Sequence, residues 1–248
     1  MANSKSGDSS LDRVVRILGC FDADATALSI SSLSGRAKIP LASTYRLVTA
    51  LIQYDFLRKD DSGGLRLGLG LWELASRSSP ALDLREAAMP FMKDIQAVVG
   101  QHTQLGLLQD DDVLFIERLS GRDSVVNQAR VAGRLPVNKT SSGMVLLAFA
   151  APHVQEAYLR AHPSPDLPNG AGPGDFRQVL ARVRSQGYAA FDGLLDEGTT
   201  GVAVPVLGRG NIALAALGVV IARDGTNIHS ILPALMTGAR GIARAVGQ

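Results

Sequence analysis

Leu28-Ser29-Ile30-Ser31-Ser32-Leu33, then Ile39-Pro40-Leu41-Ala42-Ser43-Thr44-Tyr45-Arg46-Leu47-Val48-Thr49-Ala50-Leu51, then Phe56-Leu57-Arg58-Lys59 and, past a glycine-rich turn, Leu65-Arg66-Leu67, is the stretch that decides the fold of the first third of this chain. Apolar residues recur at helical spacing over 30–37 and again over 41–54. Asp60-Asp61-Ser62-Gly63-Gly64 reads as a hairpin turn between Arg58-Lys59 and the alternating Leu65, Leu67 and Leu69. A short helix, a turn, a second amphipathic helix and a basic hairpin make a winged helix-turn-helix, a geometry that fits a helix to the major groove of DNA.

A helix advances about 100° per residue, so the facing of each side chain follows from its position. Thr44, Leu47, Val48 and Leu51 share one arc and should anchor the helix in a small core. The opposite arc carries Ala42, Arg46, Thr49 and Gln53, flanked by Ser43 and Tyr45. Thr44, inward by angle, is kept among the candidate DNA contacts with these six. Arginine reads guanine, glutamine reads adenine, and alanine or a threonine methyl touches a thymine methyl. Ser43, Tyr45 and the N–H groups at the helix start suit phosphates. On the wing, Arg58, Lys59 and Arg66 are candidate phosphate contacts. A solvated polar face explains this helix alone equally well; the preceding helix, the turn and the basic hairpin move the balance toward DNA.

Outward from this stretch, Leu11 to Phe21 has a helical period with Leu11, Val14, Val15, Leu18 and Phe21 on one face, preceded by a polar tail over 1–10 expected to be disordered. Leu71–Ser76 reads as a short helix. Ser78-Ser79-Pro80 breaks the pattern, and Leu84–Val99 reads as a connecting helix that Pro90 kinks or divides. Beyond it strands and helices mix. Thr103–Leu108 and Val113–Arg118 form a hairpin around Asp110-Asp111-Asp112, and Val125–Val131 reads as a further strand. Ser142–Ala150, Val154–Ala161 and Phe176–Gln186 read as helices, and Pro163–Gly174 as a loop. Strands Val202–Leu207 and Ile212–Ala222 meet at Gly208-Arg209-Gly210-Asn211, and His229–Val246 closes the chain as a helix. The expected organisation is a tail over 1–10, a winged helix-turn-helix over 11–77, a linker helix over 78–100 and an α+β domain with an antiparallel sheet over 101–248.

The formal net charge of the 248 residues is +2, and all of the excess lies in residues 1–80, with ten Lys/Arg against eight Asp/Glu; residues 81–248 hold fifteen of each. That asymmetry is too mild to argue for DNA without the motif. Cys20 is the only cysteine, which rules out an intrachain disulfide and favours a reducing cytoplasm. No signal-like segment opens the sequence, and the longest apolar run, Ile212–Ala222, is far short of the roughly 20 residues that span a bilayer, so no membrane partner is expected. His102, His153, His162 and His229 lack metal-ligand spacing. There is no phosphate-binding Gly-Lys-Ser/Thr loop and no Gly-x-Ser-x-Gly elbow. Cys20 lies in an apolar helix as a structural thiol, Asp110-Asp111-Asp112 is a solvated turn, and Asp196-Glu197 has no acid/base partner. No catalytic residue, metal or cofactor is expected. Three classes remain, in order: a ligand-responsive DNA regulator, a small-molecule-binding module whose winged helix mediates protein contacts, and an enzyme with an unrecognised site.

From Leu11 to the C-terminus the chain resembles the IclR family of transcriptional regulators. The carriers are Leu11-Asp12-Arg13-Val14, Pro40-Leu41-Ala42-Ser43-Thr44-Tyr45-Arg46-Leu47, Asp83-Leu84-Arg85-Glu86-Ala87-Ala88-Met89-Pro90, Gly133-Arg134-Leu135-Pro136-Val137 with Thr140 and Gly143, Gly187-Tyr188-Ala189, and Gly198 with Ala203-Val204-Pro205-Val206. The resemblance implies an N-terminal winged helix for palindromic operator DNA, usually in repression of a catabolic operon. It also implies a C-terminal GAF-like domain for a small organic acid or aromatic effector, and dimers that often pair into tetramers. The family's pocket maps onto Lys139-Thr140-Ser141-Ser142-Gly143 at a helix start, Asn127 and Leu135 on the near side, Asp192, and Gly201, Gly218 and Val220 on the sheet. Capping by Thr140 or Ser141 accounts for the first group without a ligand. The family often has a cysteine at the place of Gly201, hydroxyl residues at those of Gly218 and Val220, a histidine at that of Asn138, and a fuller acidic run at 191–197. These departures predict a less polar, roomier pocket, suited to a flat aromatic acid or acyl derivative rather than a two- or three-carbon oxoacid.

Overall fold

The computed structural model describes residues 9–22, 24–77, 79–121, 124–163, 165–166, 175–223 and 228–247. The expected tail over 1–10 and the expected loop over 163–174 fall mostly outside them. The chain forms two compact units, residues 1–79 and 80–248.

In the first unit, α1 (Ser10–Leu18) opens on a reciprocal cap: the Asp12 amide donates to Ser9 Oγ at 3.1 Å and the Ser9 amide to Asp12 Oδ2 at 2.8 Å. The helix stops at Gly19, three residues before the period suggests. Ile17 is its buried residue, while Leu11 and Val15 lie exposed. α2 (Ile30–Ala37) is capped by Ser29, and Lys38, at φ 53°, turns the chain in the left-handed region before α3 (Leu41–Gln53). Strands β1 (Leu57–Lys59) and β2 (Leu65–Leu67) pair antiparallel with Arg58 opposite Arg66, and Leu28 bridges to Leu65 on the far side. Leu33, Val48, Leu51, Leu57 and Leu65 join Ile17 in a single core. Gly68 and Gly70 seat the start of α4 (Leu69–Arg77) against the corner after α3, for a Cβ on Gly68 would come within 2.0 Å of the Asp55 carbonyl.

In the second unit, α5 (Pro80–Val99) runs as one helix through Pro90. Proline there removes one backbone bond, but the buried stripe of Leu84, Ala88, Met92 and Ile95 holds the helix on the sheet. Six strands follow: β3 (His102–Gln109), β4 (Asp112–Leu119), β5 (Arg134–Pro136), β6 (Ala189–Asp192), β7 (Thr199–Leu207) and β8 (Ala213–Ala222), in the all-antiparallel order β5-β4-β3-β8-β7-β6. One face packs on α5 and α9 (Ile228–Ala245) through Val202, Val204, Val206, Leu217, Val219 and Ile221. The other carries α6 (Ser141–Ala148), with α8 (Phe176–Gln186) beyond it; α7 (Pro152–Ala161) joins the same cluster through Tyr158. Period-2 alternation along β7 and β8 feeds both cores.

The expected strand over Val125–Val131 does not form. Residues 124–130 are irregular because side chains satisfy their backbone: the Val125 amide donates to Gln101 Oε1 at 3.0 Å, His102 Nε2 donates to the Val125 carbonyl, and Arg118 donates to the carbonyls of Asn127 and Ala129. The edge strand is instead β5, beside β4.

α6 is buried at all eight residues. Its start is seated on the Val137–Lys139 turn, where a Cβ on Gly143 would lie 2.2 Å from the Val137 carbonyl. Gly143→Ala should therefore destabilise the second unit by about 1–3 kcal/mol, the range for overpacking. Denaturant unfolding measures it, and an unchanged midpoint would mean that α6 shifts freely on the sheet.

Candidate nucleic-acid interface and ligand cavity

α3 presents Ala42, Tyr45, Arg46, Thr49 and Gln53 to solvent, with Ser43 half-buried on the flank. Its inner side is Thr44, Val48 and Leu51. Thr44 is the exception among the candidate DNA contacts. Its exposure is 0%, and its hydroxyl lies 3.2 and 3.3 Å from the Pro40 and Ile39 carbonyls, so the side chain is spent on the turn between the helices. Ser34 Oγ, on α2, donates to the same Ile39 carbonyl at 2.7 Å. Pro40 provides no side-chain cap for α3, which leaves the first-turn N–H groups without intrahelical acceptors and open to a phosphate.

On the wing the three basic residues differ. Arg58 and Lys59 are exposed, and among the described residues neither they nor Arg46 is held in an ion pair or hydrogen bond. Arg66 is committed: its Nε sits 2.9 Å from Asp60 Oδ2. Asp60 is the organiser of the hairpin turn, its Oδ1 accepting from the Ser62 amide (3.1 Å), the Ser62 hydroxyl (2.7 Å) and the Gly64 amide (2.8 Å). The Ser62 hydroxyl and then the Arg66 guanidinium hold its carboxyl down at about 2, against an ordinary 3.8. The basic surface of the wing therefore rests on Arg58 and Lys59.

In the second unit a cavity opens between the start of α6, strands β7 and β8, and two irregular segments. Of the residues singled out from sequence, Asn127, Leu135, Thr140, Ser141, Gly201 and Val220 line it. Ser142, Gly143, Asp192 and Gly218 do not. Ser142 is turned under the sheet, its Oγ 3.1 Å from where a Gly218 Cβ would stand, and Gly143 is seated on Val137 with its amide donating to Thr140 Oγ1 at 2.9 Å. Asp192 accepts from Thr200 Oγ1 at 2.6 Å outside the cavity. Of the two glycines only Gly201 lines the cavity. Gly201 makes room for the Ser141 hydroxyl, which donates to its carbonyl at 2.6 Å, and Gly218 lets α6 lie close on β8.

Sequence reasoning missed Gln104, Phe115, Phe191, Leu194 and Thr199, which also line the cavity. The walls thus combine the apolar and aromatic side chains of Phe115, Leu135, Phe191 and Leu194 with polar groups from eight residues, the Asp196 carboxylate among them. The Asn127 side-chain amide donates to Gln104 Oε1 at 3.1 Å. Thr140 accepts from Gly143 and keeps its own O–H to donate. Lys139 lines the cavity but pairs with Asp166 at 2.8 Å. Gln128 Nε2 donates to the Leu195 carbonyl at 2.8 Å, fastening the 124–130 segment to the loop after β6. The space open to water centres is about 50 Å³, room for a few waters at roughly 10–15 Å³ each. No cluster of three or more His, Cys, Asp or Glu fit for a metal occurs among the described residues, and none of their helices is long and apolar enough to cross a membrane. Cys20 is half-buried, its Sγ donating to the Arg16 carbonyl at 3.1 Å, and burial pushes the thiol up.

Residues 78–247 match the family model described as bacterial transcriptional regulator IclR C-terminal, and residues 10–61 match the IclR helix-turn-helix domain. The chain is 40% identical to an IclR homolog from Microbacterium hydrocarbonoxydans whose crystal structure holds 4-hydroxybenzoate; the likeness covers 96% of this chain and 99% of that one at a TM-score of 0.86. The HTH-type transcriptional regulator XynR of Escherichia coli is 28% identical over 211 residues, 84% of each protein. The HTH-type transcriptional repressor AllR of Salmonella typhi is 26% identical over 145 residues, 58% of this chain and 53% of that protein.

The depressed Asp60 carboxyl sets a pH window for the wing. A carboxyl held below its unfolded value stabilises the fold above that value, near 3.8, and the contribution is lost as pH falls through about 2. The amide resonances of Ser62 and Gly64 should stay constant from pH 5 to 3 in an NMR titration; a midpoint near 3.8 would show that the carboxylate does not hold the turn.

Proposed function

Since the chain belongs to the IclR family of transcriptional regulators, we propose that it is a ligand-responsive repressor of a catabolic operon, acting in the cytoplasm on a palindromic operator and released or retained by a small aromatic acid. The working division is a DNA-binding domain over 11–77, a linker helix over 78–100 and an effector-binding domain over 101–248.

The DNA reading is carried by the exposed face of α3. Arg46 and Gln53 are the base-reading candidates, Ala42 and Thr49 the methyl contacts, and Ser43, Tyr45, Arg58 and Lys59 the phosphate contacts. Arg66 contributes through the shape of the wing. A dimer would set two copies of α3 in successive major grooves, with half-sites about 10 bp apart or a multiple. Support for the dimer comes from the first unit itself: Leu11 and Val15 on α1, and Leu69, Trp72 and Leu74 on α4, are exposed, and α4 buries none of its residues. Apolar surface of this kind marks a protein–protein contact. Pairing of dimers into tetramers is part of the same proposal.

The effector reading is carried by the cavity's make-up. Phe115, Phe191, Leu135 and Leu194 suit the faces of an aromatic ring, and the Thr140 hydroxyl with Ser141 at the positive end of α6 suits a carboxylate. The crystallised homolog with 4-hydroxybenzoate supports this class. The 124–130 segment and the loop joined to it by the Gln128–Leu195 bond both line the cavity, and a bound acid parts them. A ligand with higher affinity for the parted arrangement shifts the protein toward it, and that differential affinity is what operator binding would sense.

Two measurements test the reading. In an anisotropy titration with a duplex from upstream of its own gene, Arg46→Ala should weaken specific binding by about 1–3 kcal/mol, the worth of a base contact, and leave random duplex unaffected; an equal loss on both would make Arg46 a phosphate contact. In calorimetry on the full chain, 4-hydroxybenzoate should bind more tightly than pyruvate or glyoxylate. Tight oxoacid binding with no aromatic binding would overturn the effector class.

A further inference from the structure

A second concavity lies on the opposite end of α6 from the ligand cavity and shares none of its lining residues. Thr140, the N-cap of α6, belongs to the cavity, and Phe149, the C-cap, belongs to this groove. We propose that the groove where α8, β7 and α9 meet is a binding site for a small amphipathic anion with an aromatic or apolar body and two or more carboxylates.

The groove's shape is that of a small-molecule site. It offers about 510 Å³, within the range of roughly 300–1,000 Å³ common for ligand pockets. Its floor is apolar: Phe149, Val204 and Pro205 are buried, and Met236 covers one side.

Its rim is cationic. Arg184 arrives from the last turn of α8, and Arg240 and Arg244 stand at i and i+4 on α9. No Asp or Glu lines the groove, and none of the three arginines is in an ion pair among the described residues. Some exposed arginines elsewhere find acids, as Arg66 does in Asp60, Arg77 in Glu73 and Arg177 in Glu156, while Arg46 and Arg58 stand apart from one another; in the groove three unpaired arginines share one floor.

Ordinary structural roles account for part of this rim. Arg184 donates to the Ala148 carbonyl at 2.8 Å, capping α6, with its guanidinium 5.2 Å from the centre of the Phe149 ring. Arg244 suits the C-terminal dipole of α9. Neither role explains why cations from two helices converge on one apolar floor with no counter-charge. The Cβ atoms of side chains four apart on a helix stand about 5–6 Å from each other, so two long arginine side chains springing from them can reach two carboxylates of one rigid ligand, each held by a guanidinium fork.

Two other occupants fit less well. β6 pairs with β7 only as far as Ala203, so residues 204–207 have no strand partner on that edge. An added peptide strand would have to ladder there, and Pro205 in its middle withholds an N–H. A second copy of this chain docked about a twofold axis would bring the arginine cluster onto itself.

The test is calorimetry on the full chain with 2,6-naphthalenedicarboxylate as probe. The dicarboxylate should bind, more weakly as salt rises. The double variant Arg240→Ala/Arg244→Ala, both exposed positions, should weaken it at least tenfold, and the charge-matched control Arg134→Ala/Arg160→Ala, two exposed arginines outside the groove, should leave it unchanged. Inorganic phosphate, which has charge and no apolar body, should bind far more weakly. The proposal is overturned if the probe does not bind at millimolar concentration, or if the double variant keeps wild-type affinity. Phosphate binding as tightly as the probe would overturn it too, marking a bare anion site, and so would an acidic aromatic peptide outcompeting the probe, marking a protein-docking surface. These outcomes are independent of 4-hydroxybenzoate binding at the front cavity, so failure of one site leaves the other standing.

Discussion

The close approach of α6 to strands β7 and β8 is the constraint on which the second unit depends. Every residue of that helix is buried, and three glycines make the burial possible: Gly143 against the Val137 carbonyl, Gly201 against the Ser141 hydroxyl, and Gly218 beneath Ser142. A helix so placed can be held only by packing, since its outer face is covered by α8 rather than water. Its two ends then become the fixed points of the unit. The N-terminal end brings Thr140 and Ser141 to the ligand cavity, and the C-terminal end brings Phe149, with Arg184 over it, to the groove on the other side.

Rigidity at that helix contrasts with the way the cavity is closed. The 124–130 segment belongs to no ladder; it is held by single side-chain bonds from Gln101, His102 and Arg118, and by Gln128 to the loop after β6. Local opening is drawn from such weakly held segments. The cavity therefore joins the packed start of α6 to a wall held by side-chain bonds, the arrangement on which the proposed response to a ligand rests. The winged unit shows the same division. Thr44 and Ser34 lock the turn between α2 and α3, Asp60 locks the tip of the wing, and Arg46, Arg58 and Lys59 are left unengaged.

Helices were readable because their signal is local. The 3.6-residue period placed α2, α3, α8 and α9 within a residue or two, and the β-branched runs of β7 and β8 with their glycine turn marked the central hairpin. What failed was non-local. Val125, Val126 and Val131 have strand-forming side chains, yet their backbone partners are side chains from β3 and β4 that no window around residue 128 contains. β5 and β6 were passed over because three or four residues carry too little period to register. On α1, the face shared by Leu11, Val14, Val15, Leu18 and Phe21 is not buried as a unit: Ile17 is the buried residue, and Leu11 and Val15 lie exposed. The ligand cavity was half legible: the helix start and Gly201 came from motif, while Gln104, Phe115 and Phe191 come from three separate strands and meet only once the sheet has formed.

From the linear order of residues came the two-part architecture, the exposed polar face of α3 and the capped start of α6, because each is written in contiguous residues whose spacing or capping chemistry acts over one or two turns. Tertiary structure alone decided that Thr44 is spent on the inter-helix turn, that Arg66 is neutralised within the wing, that Gly218 serves packing rather than the cavity, and that Arg184, Arg240 and Arg244 share one apolar floor. Each of those outcomes depends on a partner distant in sequence, and burial and electrostatics act through space.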